Sequence, residues 1–320
     1  MKNAQRAELL LAVAALLLMM ATNAALPGEA PAFAERTPLA AGEGYALYAG
    51  ETPPAGEQQS FDRDTLYQGL LLYVGADHPL PADMPVPQAR NVRKLVGLYV
   101  PAAPEVSLSE DAIYALCDLV GDNPLLKTWV MTGMRAPEEQ AALQKAAFAA
   151  YQATMPVAQA LAQAAIDVPD SGYSEHQLAT AFDLRLDGPQ DWRQADPMAR
   201  TEDGRWLLEN GWRYGFIRRY PPDKAEITGV HNEGTHWRYV GKAHAAVMHA
   251  AGWCLEEYLE ALHAHGSLCL QAGDTVTWVL CAEMTQSGAA FSLPAGAQAT
   301  VSADNQGYAV CAFTLPAGGE

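Results

Sequence analysis

Two short runs constrain this chain most, because the groups they carry can act only if the fold brings them together. Ser174-Glu-His176-Gln-Leu-Ala-Thr-Ala181-Phe-Asp183 places a histidine and an aspartate seven positions apart, and Ala181 to Leu186 alternates with the period of a strand. That odd spacing suits one group on a turn and the other on the strand that follows. Glu233-Gly-Thr-His236 then sets a carboxylate three residues ahead of a second imidazole, directly before the strand-like Trp237-Arg-Tyr-Val240. Two histidines, an aspartate and a free glutamate are the parts of a catalytic zinc site, in which three protein ligands leave a fourth position to water. Either run alone would read as ordinary surface or core residues.

A third run supplies a cation. In Thr132-Gly-Met-Arg135-Ala-Pro137-Glu-Glu-Gln140, the strand-like Lys127 to Met131 leads into a helix opened by Pro137. A guanidinium at such a strand end is suited to hold an anionic substrate group or a developing oxyanion. Gln140 and Ser174 are candidate substrate-binding residues beside it. No G-x-S-x-G elbow surrounds Ser174, so it reads as a polar neighbour of the site and not as a nucleophile.

The ordered series Thr-Gly-x-Arg, Ser-x-His-x6-Asp, Gly215-Phe-Ile-Arg-Arg-Tyr-Pro-Pro-Asp-Lys-Ala-Glu-Ile-Thr-Gly229 and Glu-x-x-His-x-Arg-Tyr-Val-Gly resembles the zinc D,D-carboxypeptidases of the vancomycin-resistance type, relatives of the D-alanyl-D-alanine dipeptidases. The likeness runs from about residue 60 to 265. It implies that His176, Asp183 and His236 hold Zn2+, that Glu233 is the catalytic base and that Arg135 meets the substrate. The chain departs from the usual pattern in two places. Ala179 stands where the family has glycine, and Gly234-Thr235 stands where it has a Pro-Trp pair, which removes an aromatic wall beside the metal.

The N-terminus carries Lys2 and Arg6, an apolar run from Leu9 to Ala21 and small residues to Ala25. The run is shorter than the ~20 residues of a spanning helix, so residues 1–25 read as a signal peptide, with an uncleaved membrane anchor as the alternative. Both send the chain out of the cytoplasm, secreted or held at the outer face of the membrane. A net charge of -17 argues against nucleic acid and anionic lipid as partners. Residues 26–60, rich in Ala, Pro and Gly, read as a linker. The catalytic domain is expected over 61–265, with a helix capped by Ser107-x-x-Glu110. A small β-rich extension, expected over 266–320, would cover an edge or bind a partner. Of five cysteines, Cys117 and Cys254 fall in apolar helical patterns, and Cys269, Cys281 and Cys311 leave room for one disulfide in the tail. The expected class is α+β, a small mainly antiparallel sheet with flanking helices, and a monomer.

His231 lies two residues before Glu233 in no simple zinc spacing and reads as a loop or pocket residue; Asp187, four residues past Asp183, reads as solvated. Residue chemistry alone stops at a zinc peptidase or amidase. The resemblance implies removal of the terminal D-alanine from peptidoglycan stem peptides. An endopeptidase using the same site, and a wall-binding protein without turnover, are the alternatives.

Overall fold

The computed structural model describes residues 37–62, 69–82, 84–186, 196–231 and 233–317. The expected leader over 1–25 and Asp187 lie outside these residues. Three strands come first: β1 (Ala40–Gly42), β2 (Tyr45–Ala49) and β3 (Glu57–Phe61). The linker expected over 26–60 is therefore corrected for residues 40–60, while its first part, 26–36, lies outside the described residues. Alanine and glycine content concealed a strand whose Leu47 is fully buried and whose partner lies at the other end of the chain.

The middle of the chain builds the site. A short β4 (Arg90–Asn91) leads through α1 (Val92–Val96) to β5 (Ser107–Leu108), α2 (Glu110–Asp122) and β6 (Trp129–Thr132). Ser109, not Ser107, caps α2: its hydroxyl accepts from the backbone N of Ala112, while Ser107 is drawn into pairing with Asn91. The helices α3 (Pro137–Gln152) and α4 (Val157–Asp167) pack on each other and return the chain to β7 (Ala181–Arg185). Then follow α5 (Pro197–Arg200), α6 (Glu202–Asn210), β8 (Phe216–Arg218), α7 (Ala225–Thr228), β9 (His236–Tyr239), α8 (Lys242–Ala251) and α9 (Leu255–His265). Gly252 (φ 67°) ends α8 in the left-handed region that glycine adopts most readily. Strands β6, β7, β9 and β8 form one antiparallel sheet in that order. Ile113, Leu116 and Leu119 of α2 bury its one face with Val130, Phe182, Leu184, Phe216 and Trp237.

The last five strands are β10 (Ser267–Ala272), β11 (Thr275–Glu283), β12 (Ala289–Leu293), β13 (Thr300–Ala303) and β14 (Tyr308–Pro316). They do not stand alone as an extension. Both chain ends share a six-stranded sheet in the order β1-β2-β10-β11-β14-β13, and β12 pairs with β3. One face of the six packs on α8 and α9 through Val247, Met248, Leu255, Tyr258 and Leu259. The other carries Trp278, Cys311 and Phe313 against Phe291 and Leu293 of β12.

All five cysteines are free. Cys269 on β10 and Cys311 on β14 share a face but are separated by β11, a gap of two strand spacings or ~10 Å, beyond the reach of a disulfide. Cys281 follows Leu280, which pairs with Cys311, so its side chain points to the opposite face.

The two sheets meet through a segment without strand structure. The backbone N of Leu71 donates to Ser302 Oγ at 2.8 Å and that of Tyr73 to the Asp304 carbonyl at 2.9 Å. Asn305 Nδ2 donates to the carbonyls of Tyr73 at 3.0 Å and Pro79 at 3.2 Å. Asp304 is fully buried and bound to His263 of α9 at 2.5 Å. The fold is α+β as expected, but the division at residue 265 is not a domain boundary.

Candidate metal centre

Cross-strand register assembles the centre. Thr132 of β6 lies opposite Asp183 of β7, and Asp183 opposite His236 of β9. His176 arrives from a single 3-10 turn, Glu175–Leu178, just before β7. One donor atom each from His176, Asp183 and His236 lie within 4.8 Å of one another. Asp183 Oδ2 is 3.2 Å from His176 Nε2, and its Oδ1 is 2.8 Å from His236 Nδ1. The sequence-derived ligand set therefore converges, and two imidazoles with a carboxylate fit a divalent ion such as zinc.

The far nitrogens are anchored. His176 Nδ1 donates to the Gly133 carbonyl at 2.7 Å, which leaves Nε2 to face Asp183. Gly133 has no room for a side chain, since a Cβ would come within 2.5 Å of the Ser107 carbonyl oxygen. His236 Nε2 lies 3.4 Å from Glu175 Oε2, which leaves Nδ1 on the Asp183 side. Holding the outer nitrogen fixes the ring orientation and tautomer of a ligating histidine. Ala179 closes the turn at φ 60°, a left-handed backbone costing a residue with a Cβ about 1–2 kcal/mol. Its carbonyl accepts from the N of Ser109 at 2.8 Å, and that of His176 from the N of Arg135 at 2.9 Å.

Burial and charge act in opposition here. Burial would raise the Asp183 carboxyl, but hydrogen bonds from His176 and His236 hold it far below the usual carboxylate range. His176 is lowered, chiefly by burial. Burial would lower His236 too, yet hydrogen bonds to Asp183 and Glu175 bring it up to about 9. A metal entering at neutral pH thus competes with a proton on His236.

Below the ligands lies a buried ion network that sequence reasoning missed. Glu175 is 3% exposed, and its Oε1 accepts from Arg219 Nε at 2.8 Å and Arg238 Nη1 at 2.6 Å. Arg219 also binds Glu256 through both terminal nitrogens, at 2.9 and 2.7 Å. Arg238 Nη2 donates to the carbonyls of Leu70 and Leu72. The arginines counter the burial of Glu175 and hold it well below the usual carboxylate range. The available signal was arginine set among apolar and aromatic neighbours, in Phe216-Ile-Arg-Arg-Tyr220 and His236-Trp-Arg-Tyr239, where a cation drawn inside demands a buried partner.

The remaining candidates divide. Arg135 Nη2 lies 3.8 Å from Asp183 Oδ2, beside the ligands, and Arg135 lines a groove of about 290 Å³ with Leu80, Met84, Val86, Met134 and Gln177. Gln140 is fully buried, so it cannot reach a substrate directly; its Oε1 accepts from Arg135 Nη1 and its Nε2 donates to the Pro169 carbonyl. Ser174 is 5% exposed, at the start of the histidine turn. Glu233 is exposed, and its carbonyl accepts from the N of His236 at 3.0 Å. Its loop is held by Arg218, which donates to the Gly234 carbonyl at 3.0 Å and grips Asp196 with two bonds of 2.6 Å. His231 is exposed and outside the donor cluster. An aromatic wall is present after all: Tyr220 stacks on His236, centroids 5.3 Å apart at 26°. Its hydroxyl is raised far above the ordinary range by burial and by the negative charges of Glu175 and Glu233.

Residues 115–242 match the family model described as VanY, D-alanyl-D-alanine carboxypeptidase. The chain is 37% identical over 194 residues to a D-alanyl-D-alanine carboxypeptidase of Enterococcus faecalis, covering 59% of this chain and 65% of that one. It is 28% identical over 212 residues to a D-alanyl-D-alanine carboxypeptidase of Enterococcus faecium, covering 64% and 62%. The chain thus spans just under two thirds of the length of these relatives. A crystal structure of the vancomycin-resistance D,D-dipeptidase VanXYg, in complex with a D-Ala-D-Ala phosphinate analog, superposes with a TM-score of 0.67 at 23% identity over 81% of this chain and 98% of that one, which is a likeness of fold. The matched stretch, which is similar to the VanY family of D-alanyl-D-alanine carboxypeptidases, contains every donor of the metal cluster together with Arg135 and Glu233.

Proposed function

We propose that this protein is a zinc-dependent D,D-carboxypeptidase that removes the terminal D-alanine from peptidoglycan stem peptides ending in D-Ala-D-Ala. The observation that carries this reading is the convergence of His176, Asp183 and His236 within 4.8 Å, with the Arg135 guanidinium 3.8 Å from the same aspartate. Zinc held by the three side chains would supply Lewis acidity to a water and to the scissile carbonyl.

Glu233 takes a proton from the attacking water and delivers it to the leaving amine nitrogen as the C–N bond breaks. The products are a peptide shortened by one residue and free D-alanine. Arg135 binds the terminal carboxylate or the developing oxyanion, and the groove beside it gives the substrate room. Tyr220 covers one face of His236 and keeps water from that ligand.

The leader expected over residues 1–25 would deliver this activity outside the cytoplasm, where the wall substrate is found. No helix among the described residues is long and apolar enough to cross a membrane. The test is metal content of the purified protein together with D-alanine release from a pentapeptide. About one zinc per chain is expected, with both zinc and activity lost in His176→Ala and His236→Ala. Full metal content in either variant would move the ligand set elsewhere.

A further inference from the structure

Glu175 sits between two ligating histidines, yet it belongs neither to the donor cluster nor to the groove. Its simplest role would be to neutralise Arg219 and Arg238. The geometry asks more of it, because both arginines are served by one oxygen, Oε1. The other, Oε2, is directed at Nε2 of His236 at 3.4 Å.

We propose that Glu175 is a positioning residue for His236: its carboxylate, fixed by Arg219 and Arg238, holds Nε2 of the ring and presents Nδ1 to the metal position. The inference rests on the reading of this centre as a metal site. The carboxylate has little freedom to turn. Arg219 is tied on its far edge to Glu256, and Arg238 to the carbonyls of Leu70 and Leu72. Tyr220 limits rotation of the ring by stacking on it, and Arg219 lies 4.6 Å over the Tyr220 ring. Glu175 also directly precedes His176, so one 3-10 turn carries the first histidine ligand and the group that orients the second. Loss of such an outer partner typically lowers metal affinity 10–100-fold. A glutamine at this position could still accept from the arginines, but its amide would present N–H to a nitrogen that must itself carry hydrogen.

The test uses the full chain. In protein loaded with cadmium-113 and carrying nitrogen-15 histidine, the cadmium coupling of His236 is expected at Nδ1, with hydrogen retained on Nε2. Coupling at Nε2 would overturn the proposal. Zinc affinity by chelator competition is expected to fall about 10–100-fold in Glu175→Gln, with the circular dichroism of the metal-free protein unchanged. Glu256→Gln cuts the outer edge of the network but leaves Oε2 in place, and should keep affinity close to wild type. Wild-type affinity in a folded Glu175→Gln variant would sink the positioning role alone, whereas a wild-type protein that binds no metal would sink both this role and the carboxypeptidase reading. If Glu175→Gln does not fold, the cadmium coupling in the wild type decides the matter.

Discussion

Arg135 donates from Nη1 to Oε1 of the buried Gln140 at 3.1 Å, and Gln140 is in turn held by the Pro169 carbonyl at 2.6 Å. The carboxamide therefore acts on a substrate only through the guanidinium it aims. If Arg135 grips a terminal carboxylate, Arg135→Ala should raise KM for a free-acid peptide by about 10–100-fold, the worth of a charge-assisted hydrogen bond, and far less for the C-terminal amide. Gln140→Ala should show the same pattern more weakly. Equal losses in kcat for acid and amide would assign Arg135 to the oxyanion instead, and unchanged kinetics would remove it from the site.

Glu233 is exposed on a loop held by Arg218, and Glu233→Gln keeps its shape while removing its basicity. Zinc content should stay at the wild-type level while hydrolysis falls by about 10² or more. Near-normal turnover in this variant would mean that another group takes the proton.

His244 offers a pH test away from the metal. It is buried in α8 and bonded to the Tyr258 hydroxyl at 2.6 Å, and burial lowers it to about 4. Between pH ~6.5 and 4 the unfolded chain takes up a proton that the folded chain excludes, so stability falls as pH falls. Above pH ~6.5 this residue contributes no pH dependence. The loss across the window is about 3 kcal/mol. Urea unfolding of wild type and His244→Gln at both ends of the window should show a flatter response in the variant, and equal slopes would contradict the assignment.

The C-terminal strands should be needed by the site. Ser302, Asp304 and Asn305 fasten the segment whose Leu70 and Leu72 carbonyls receive Arg238, and Arg238 binds Glu175. A chain ending at Gly266 would also expose the Val247, Met248 and Leu259 face of α8 and α9. Such a chain is expected to be insoluble or to lack cooperative unfolding. A folded, zinc-binding truncation would show the strands to be dispensable.

The three candidate donors that converge were legible because each stands out over a short span: seven residues and a strand alternation for His176 and Asp183, and a Glu-x-x-His run for His236. Glu175 was not, since its partners Arg219 and Arg238 lie 44 and 63 residues away, beyond any local period. The same limit hid β2, whose Ala-rich run becomes a strand only through pairing with β10. The replacement of the usual Trp by Thr235 suggested an open ligand face, because sequence could not show Tyr220 turning onto His236.

The pairing of β2 with β10 also governs when this protein can finish folding. Ser302 and Leu71, whose hydrogen bond helps join the two sheets, are separated by 231 residues. Contacts of such sequence separation form late, after a large loss of chain entropy has been met. A chain emerging N-terminus first must hold β2 without its β10 partner, and β3 without β12, until those later strands appear. Leu47 would be exposed during that interval, and Arg238 would lack the fastened carbonyls that steady it. The topology thus couples maturation of the metal site to the arrival of β10 to β14, so that a chain still lacking those strands holds an incomplete centre.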